Sequence, residues 1–429
     1  MKILLVNPPN SGRSIPEERY GIDSLKQIFR SEPLALEVLA ATVPKHEVAL
    51  VDLKAAPDQF DETLHRFQPD LVGFTAMTCE ANRVIELARQ VREQSAATIV
   101  VGGIHASNAP EDFNRPEFDY VAIGLGHESF PELIQALEQQ STTAVAGIAA
   151  VMPGKALQWK PRQPSDRYSL QRSPRYDLTA VYRDAYFLPK LNVQLGCVVT
   201  AYGCPYQCHF CSIAGQNSGR YLNLDTDQII RDLQQLEDIP FIRLVDANSF
   251  GNPRRAQQLA DQIAAAGLRK QFLADARADS VVRHPGLFEQ WRNIGLRSLV
   301  IGFEEISDRR LNRMNKQGNA AVNEQALNIL RDMGITVVGD FIVDTDYEDQ
   351  DFDQLERYIV DHPINLPMLT IMTPLPGTPL YAQMRGAITE HNLDYYTLTN
   401  AVVKTAMPEQ QFYTRYADLL RTCHAQARI

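Results

Sequence analysis

Over residues 1 to about 140, short apolar runs alternate with stretches in which apolar side chains recur every three or four positions. Residues 2–6, apolar after Lys2, form a short run broken by Pro8-Pro9, which predicts a buried strand. Residues 47–52, 70–75, 98–103 and 120–124 have the same character. Between them, residues 33–41, 81–94 and 130–139 read as amphipathic helices, with Val84, Leu87, Ala88 and Val91 on one face of the second. Alternation of this kind predicts a parallel, doubly wound, Rossmann-like (flavodoxin-like) sheet. Residues 141–190 carry Pro153, Pro161, Pro164 and Pro174 and no period, so they read as a linker over the surface. From residue 191 the alternation returns. Strands are expected at 191–196, 241–246, 271–275, 298–303, 336–343 and 368–372. Helices are expected at 226–236, 253–266, 285–293, 320–333 and 351–361. Six β/α units are too few for the closed barrel of eight, so residues 191–384 predict a partial (β/α)6 TIM-type barrel with its chemistry at the strand carboxyl ends. The tail, 385–429, holds a helix over 408–425 that is expected to lie over the barrel mouth.

Ligands of doubly wound sheets sit at the carboxyl ends of the strands. In the first domain those ends carry Asn7 and Pro8, then Thr75, Met77, Thr78 and Cys79, then Gly102, Gly103 and His105, then Gly124, Gly126 and Glu128. Small residues there let backbone approach a flat ligand and offer N–H groups to it. Gly124-x-Gly126 follows the fifth strand, whereas a dinucleotide fingerprint follows the first.

The densest chemistry lies in residues 203–212, where Cys204, Cys208 and Cys211 fall within eight positions of a loop. Three thiolates on a loop suit an iron–sulfur cube with one iron left open. Zinc, with His209 as fourth ligand, is the alternative. Cys79, Cys197 and Cys423 read as packed thiols. Net charge is −10 with no basic block, which argues against nucleic acid. No window reaches the ~20 apolar residues of a membrane span. Clustered cysteines without an export signal point to the cytoplasm, where thiols stay reduced.

Cys204-x-x-x-Cys208-x-Phe210-Cys211 resembles the signature of radical S-adenosylmethionine (SAM) enzymes. In that family the open iron chelates SAM, and the cluster reduces it to methionine and a 5′-deoxyadenosyl radical. The resemblance extends to Asp246 and Asn248 at the second strand, near the SAM amino group. It includes Gly302-Phe303-Glu304, with Glu304 as SAM ligand, and the turn holding Pro376 after the sixth strand. It places Phe210 beside SAM. At Asp344-Thr345-Asp346 the chain departs from the family's glycine-rich turn, and those acids are candidates for facing substrate. In the first domain, Glu32-Pro33-Leu34-Ala35-Leu36, residues 69–73, residues 101–106 and Gly124-x-Gly126-x-Glu128 resemble the cobalamin domain fused in front of many radical SAM enzymes. The Asp-x-His-x-x-Gly motif that places histidine on cobalt is absent, and His105 is expected only to line the pocket.

The resemblance implies a 4Fe–4S cluster, SAM and cobalamin as cofactors, and a flavodoxin or ferredoxin as electron donor. It implies methylation of an unactivated carbon of a small molecule, with ring closure, rearrangement or transfer of another part of SAM as other outcomes. A sensor or electron relay is the non-enzymatic alternative.

Overall fold

The computed structural model describes residues 1–23, 31–141, 144–162, 172–188, 193–216 and 219–428. Its first sheet has six strands: β1 (Lys2–Asn7), β2 (Glu47–Asp52), β3 (Leu71–Thr75), β4 (Thr98–Gly102), β5 (Tyr120–Ala122) and β6 (Ile148–Ala150). Their order is β2-β1-β3-β4-β5-β6, and the first five are parallel. Both faces are covered, which is why these strands read as unbroken apolar runs. Ile3 and Leu5 pack with Leu36, Ala40, Phe130 and Leu133. Leu4 and Val6, pointing the other way, pack with Val84, Leu87, Ala88 and Val91.

The second sheet contains β7 (Phe187–Leu188), β8 (Val193–Val198), β11 (Phe241–Leu244), β12 (Gln271–Ala276), β13 (Leu296–Glu304), β14 (Thr336–Val343) and β15 (Leu366–Ile371). A small antiparallel ribbon, β9 (Ala201–Tyr202) with β10 (Leu222–Asn223), stands beside the end of β8. The six strands from β8 to β15 are parallel, in sequence order, as the half-barrel reading expects. Their outer faces, with Phe272, Ala274, Leu299, Ile301, Val337 and Phe341, meet the helices. On the inner face, Leu188, Leu195, Phe241 and Leu273 form an apolar plug.

Four expectations change. The stretch read as a linker contributes β6, antiparallel to β5, and β7, antiparallel to β8. Strands of two or three residues are too short to show a period. Leu191, Asn192 and Pro164 lie outside the described residues. The helix expected from residue 130 is Gly126–Glu138, because its first turn is written in a Gly-x-Gly that reads as loop. The first barrel strand ends at Val198 and so includes Cys197. The C-terminal helix, Glu409–Gln426, lies not over the mouth but along β15: Tyr416 donates to the Leu369 carbonyl at 3.0 Å, and Phe412 stands edge-on to Phe352 of the neighbouring helix Asp349–Asp361. A half-barrel leaves an open edge strand, and this helix covers it.

Candidate active site

The cysteine loop leaves the β8 end and crosses the barrel mouth. It is tied down by the far side of the barrel: the His209 N–H donates to the Met314 carbonyl, the Leu380 N–H donates to the His209 carbonyl at 3.0 Å, and Asn315 donates to the Gln207 carbonyl at 2.7 Å. The Arg277 guanidinium stacks 3.7 Å over the Tyr206 ring, and Tyr206 donates to Asp279 at 3.1 Å. All three loop thiols are partly accessible, whereas Cys197 and Cys423 are buried. Burial pushes the Cys208 thiol up, against the pull of Lys316 and Arg277, and pushes Cys211 up to about 11. Desolvation likewise pushes the half-buried Cys79 thiol up to about 11.

Among the described residues, no three His, Cys, Asp or Glu side chains converge on a single ion position. Zinc requires its ligands to converge, while a cube takes each thiolate on a different iron. The three thiolates of one loop suit a cluster.

Around the loop, Asn248 directs its amide at Cys204 Sγ, 3.9 Å away. Phe210 packs with Met314, Ile342, Met372 and Leu380. Beside it opens a cavity of about 570 Å³ whose walls include Phe210, Met314, Thr345, Met372, Met384 and Lys404. Glu304 is the last residue of β13, is nearly buried, and pairs with Lys316. Glu305 turns to the helix side, where it accepts from Tyr347 and from the Ile306 N–H. Asp246 is at the expected strand end but its oxygens are engaged: Thr200 N–H and Oγ donate at 2.6 Å each, and the Ala201 N–H at 3.0 Å. It anchors the start of the cysteine loop. Asp344 and Asp346, expected toward substrate, line this cavity and are paired there with Arg310 and Arg313.

In the first domain the strand ends fit a broad ligand with apolar faces. Met77 is 53% exposed at the end of β3. Its N–H is held by Glu80 at 2.9 Å, and Glu80 is paired with Lys54. Gly103 has φ 95°, and a Cβ there would lie 2.7 Å from the Ala76 nitrogen and from Thr75 Oγ1. Thr78 begins the short turn after Met77, Gly102 ends β4 against Ala122, and Pro8 is buried at the β1 end. Gly124 has φ 87° and approaches the Gln216 carbonyl of the second domain. Three expected residues point elsewhere. Asn7 donates to Asp52 at 2.7 Å, Glu128 pairs with Arg162 at the surface, and the His105 ring has no accessible surface, its Nε2 lying 3.0 Å from Asp112.

Asn108 escaped the sequence reading. It donates to the Ser212 carbonyl, directly after Cys211, at 3.1 Å. A Cβ on Gly215 would lie 1.9 Å from Asn108 Oδ1, and one on Gly377 would lie 2.5 Å from the Asn108 carbonyl. The turn after buried Pro376 thus packs on the first domain. Gly215 and Gly377 were the available signals, but the contact that requires them joins residues far apart in sequence. A cleft of about 190 Å³ separates Leu34, Ala35 and Val38 from Val199, Gly203 and Val245.

A doubly wound domain thus stands with its strand ends toward a three-cysteine loop on a half-barrel. Residues 29–134 match the family model of the B12 binding domain, and residues 198–359 match that of the radical SAM superfamily. The chain thus carries a B12-binding domain in front of a radical SAM domain. It is 27% identical over 406 residues to hopanoid C-3 methylase of Methylococcus capsulatus, covering 92% of this chain and 76% of that protein. It is 28% identical over 424 residues to an uncharacterized methyltransferase of Pyrococcus horikoshii, covering 94% and 88%. Its fold is similar to that of the radical SAM methyltransferase TsrM from Kitasatospora setae, solved with cobalamin and a 4Fe–4S cluster bound. The TM-score is 0.74 at 17% identity, covering 98% of this chain and 88% of TsrM. The cofactors of this chain are cobalamin, SAM and a 4Fe–4S cluster. No helix among the described residues is long and apolar enough to cross a membrane.

Proposed function

We propose that this chain methylates an unactivated carbon of a small molecule. One observation carries the reading: Asn108, at the end of the helix after β4, is tied to the residue after Cys211, which supports two cofactor sites facing one cleft. A sensor or relay needs no such convergence. When bound, the cluster with SAM supplies a carbon-centred radical and cobalamin supplies a methyl group. The protein's own part is placement. Cys204, Cys208 and Cys211 hold three irons, and Asn248 offers an N–H to the sulfur of the first. Glu304 takes the amine or ribose of SAM, and Phe210 walls the adenosyl group. Met77, Thr78 and Gly103 support the corrin without a histidine. The plug at Leu195 and Phe241 closes the far end of the barrel against water. Six free cysteines suit a reducing cytoplasm, and a flavodoxin or ferredoxin is the electron donor we infer. A net charge of −10 with no basic block in the sequence speaks against a nucleic-acid partner.

The test is product analysis on the anaerobically reconstituted full chain with candidate substrates. Methyl transfer yields S-adenosylhomocysteine and 5′-deoxyadenosine in equal amounts alongside a methylated product. 5′-Deoxyadenosine alone, with an unmethylated product, would shift the assignment to ring closure or rearrangement.

A further inference from the structure

The inner face of the half-barrel is written in its partly accessible residues. They are Arg243 on β11, Asp275 on β12, Val300 and Gly302 on β13, Asp340 on β14, and Met368 and Thr370 on β15. The register sets Asp340 beside Gly302 on one side and Met368 on the other. With Glu304, three carboxylates share this space. Two already have a base: Asp275 is paired with Arg243, and Glu304 with Lys316. Asp340 has none, and no hydrogen bond or ion pair among the described residues reaches its carboxylate. Burial, with repulsion from Glu304 and Asp275, pushes it up to about 8, against weaker pull from Arg243 and Lys316. An unpaired carboxylate inside the half-barrel costs stability, and no contact in the fold repays it. The apolar plug lies below it, so a ligand reaches it from the strand ends, where the cysteine loop sits.

We propose that Asp340 selects the substrate by taking its cationic nitrogen, so that the molecule methylated bears an amine or guanidine and is not a pure hydrocarbon. The assignment rests on the methyl-transfer reading. It gives the unpaired carboxylate its missing base, and a bound cation favours the ionised form. The other cation that enters this space is the SAM sulfonium, and the experiment separates the two.

The full chain, loaded with cluster and cobalamin and saturated with SAM without reductant, is titrated calorimetrically with n-butylammonium and with n-butanol. The parent binds the ammonium at least about tenfold more tightly than the alcohol, the scale of one charge-assisted hydrogen bond. Asp340→Asn abolishes that preference, Asp340→Glu retains part of it, and SAM affinity stays within about threefold in both. A parent without preference, or a preference that survives in Asp340→Asn, overturns the proposal. A SAM affinity that falls about tenfold in Asp340→Asn also overturns it, because the carboxylate then serves the sulfonium. If Asp340→Asn fails to take up its cofactors, the parent is read at pH 7 and pH 9. Its preference must then grow as Asp340 ionises, and a flat preference refutes the idea. These titrations need no turnover, so failure of the methyl-transfer reading shows separately, as absence of methylated product.

Discussion

Replacing Glu304 with glutamine tests the SAM site most sharply. Glu304 ends β13 with φ 64°, in the left-handed region that a side chain other than glycine's rarely occupies. The pairing of β13 with β14 shifts register between Gly302 and Glu304. Such irregularities re-aim side chains near active sites. The carboxylate folds back over Gly302, where a Cβ would lie 2.3 Å from Glu304 Oε1 and 2.9 Å from Lys316 Nζ. That explains the glycine of Gly302-x-Glu304: its missing side chain is the space the ion pair fills. Holding one residue in this conformation costs about 1–3 kcal/mol, and such strain clusters at ligand sites. Glutamine keeps the shape and the backbone but removes the charge. A charge-assisted hydrogen bond is worth roughly 1.5–3 kcal/mol, so SAM affinity should fall by about one to two powers of ten. Gly302→Ala should weaken SAM binding comparably without removing any charge, by displacing the carboxylate. Glu305→Gln, on the helix side with Tyr347, should lower stability and leave SAM binding unchanged. The assay is equilibrium dialysis of labelled SAM on reconstituted protein of equal iron content. If Glu304→Gln binds SAM as the parent does, or only Glu305→Gln weakens it, the site lies elsewhere.

Alanine at Cys204, Cys208 or Cys211 should abolish SAM cleavage and lower iron per chain, while Cys79→Ala, Cys197→Ala and Cys423→Ala should keep the iron; iron analysis decides. His105→Ala should leave the absorption spectrum of bound cobalamin unshifted, since that ring is buried against Asp112 and Phe113; a changed axial-ligand band would contradict this. Asp246→Ala should cost about 3–5 kcal/mol in denaturant unfolding, because it strands three buried donors of Thr200 and Ala201; a loss under about 1 kcal/mol would refute the anchoring role. Asp340 holds in the fold, up to about pH 8, a proton that an unfolded chain releases near 4, so the parent loses stability as pH rises through that window and no further above it. Asp340→Asn removes this slope, and its advantage in unfolding free energy should grow between pH 6 and pH 8 by at most about 3 kcal/mol.

Much of this architecture was legible because a parallel strand covered on both faces leaves a continuous apolar run, and β1 or β14 can hardly be read otherwise. The cysteine spacing was legible because one loop carries all three thiols. Side-chain direction was less so. Asp246 ends the right strand, yet whether it faces a ligand or Thr200 depends on how the chain leaves β8, which no local pattern encodes. Asn7, Glu128 and His105 sit on the right loops and turn to Asp52, Arg162 and Asp112 for the same reason. Asp340 gains meaning only from the register that sets it beside Gly302, and Lys316 only from the loop that brings it to Glu304.

The motif Glu32-Pro33-Leu34, which the resemblance assigns to the cobalamin domain, acts here on the other domain. β7 pairs only with the start of β8, so among the described residues the later part of β8 has β11 as a strand partner on one side and none on the other. Glu32 accepts from the Cys197 N–H and pairs with Arg183, and Tyr176 donates to the Cys197 carbonyl at 3.0 Å. Buried Glu37, pushed up to about 8 mainly by burial and then by Glu32, is held by Thr179. Side chains thus complete the edge of β8 seven residues before Cys204. One end of the cysteine loop is bolted through Glu32 and the other through Asn108, both residues of the first domain. Reacting groups misplaced by about 1 Å can lose a hundredfold in rate. Two cofactors that must meet at one carbon need this double attachment, and a domain joined only by a flexible linker could not provide it.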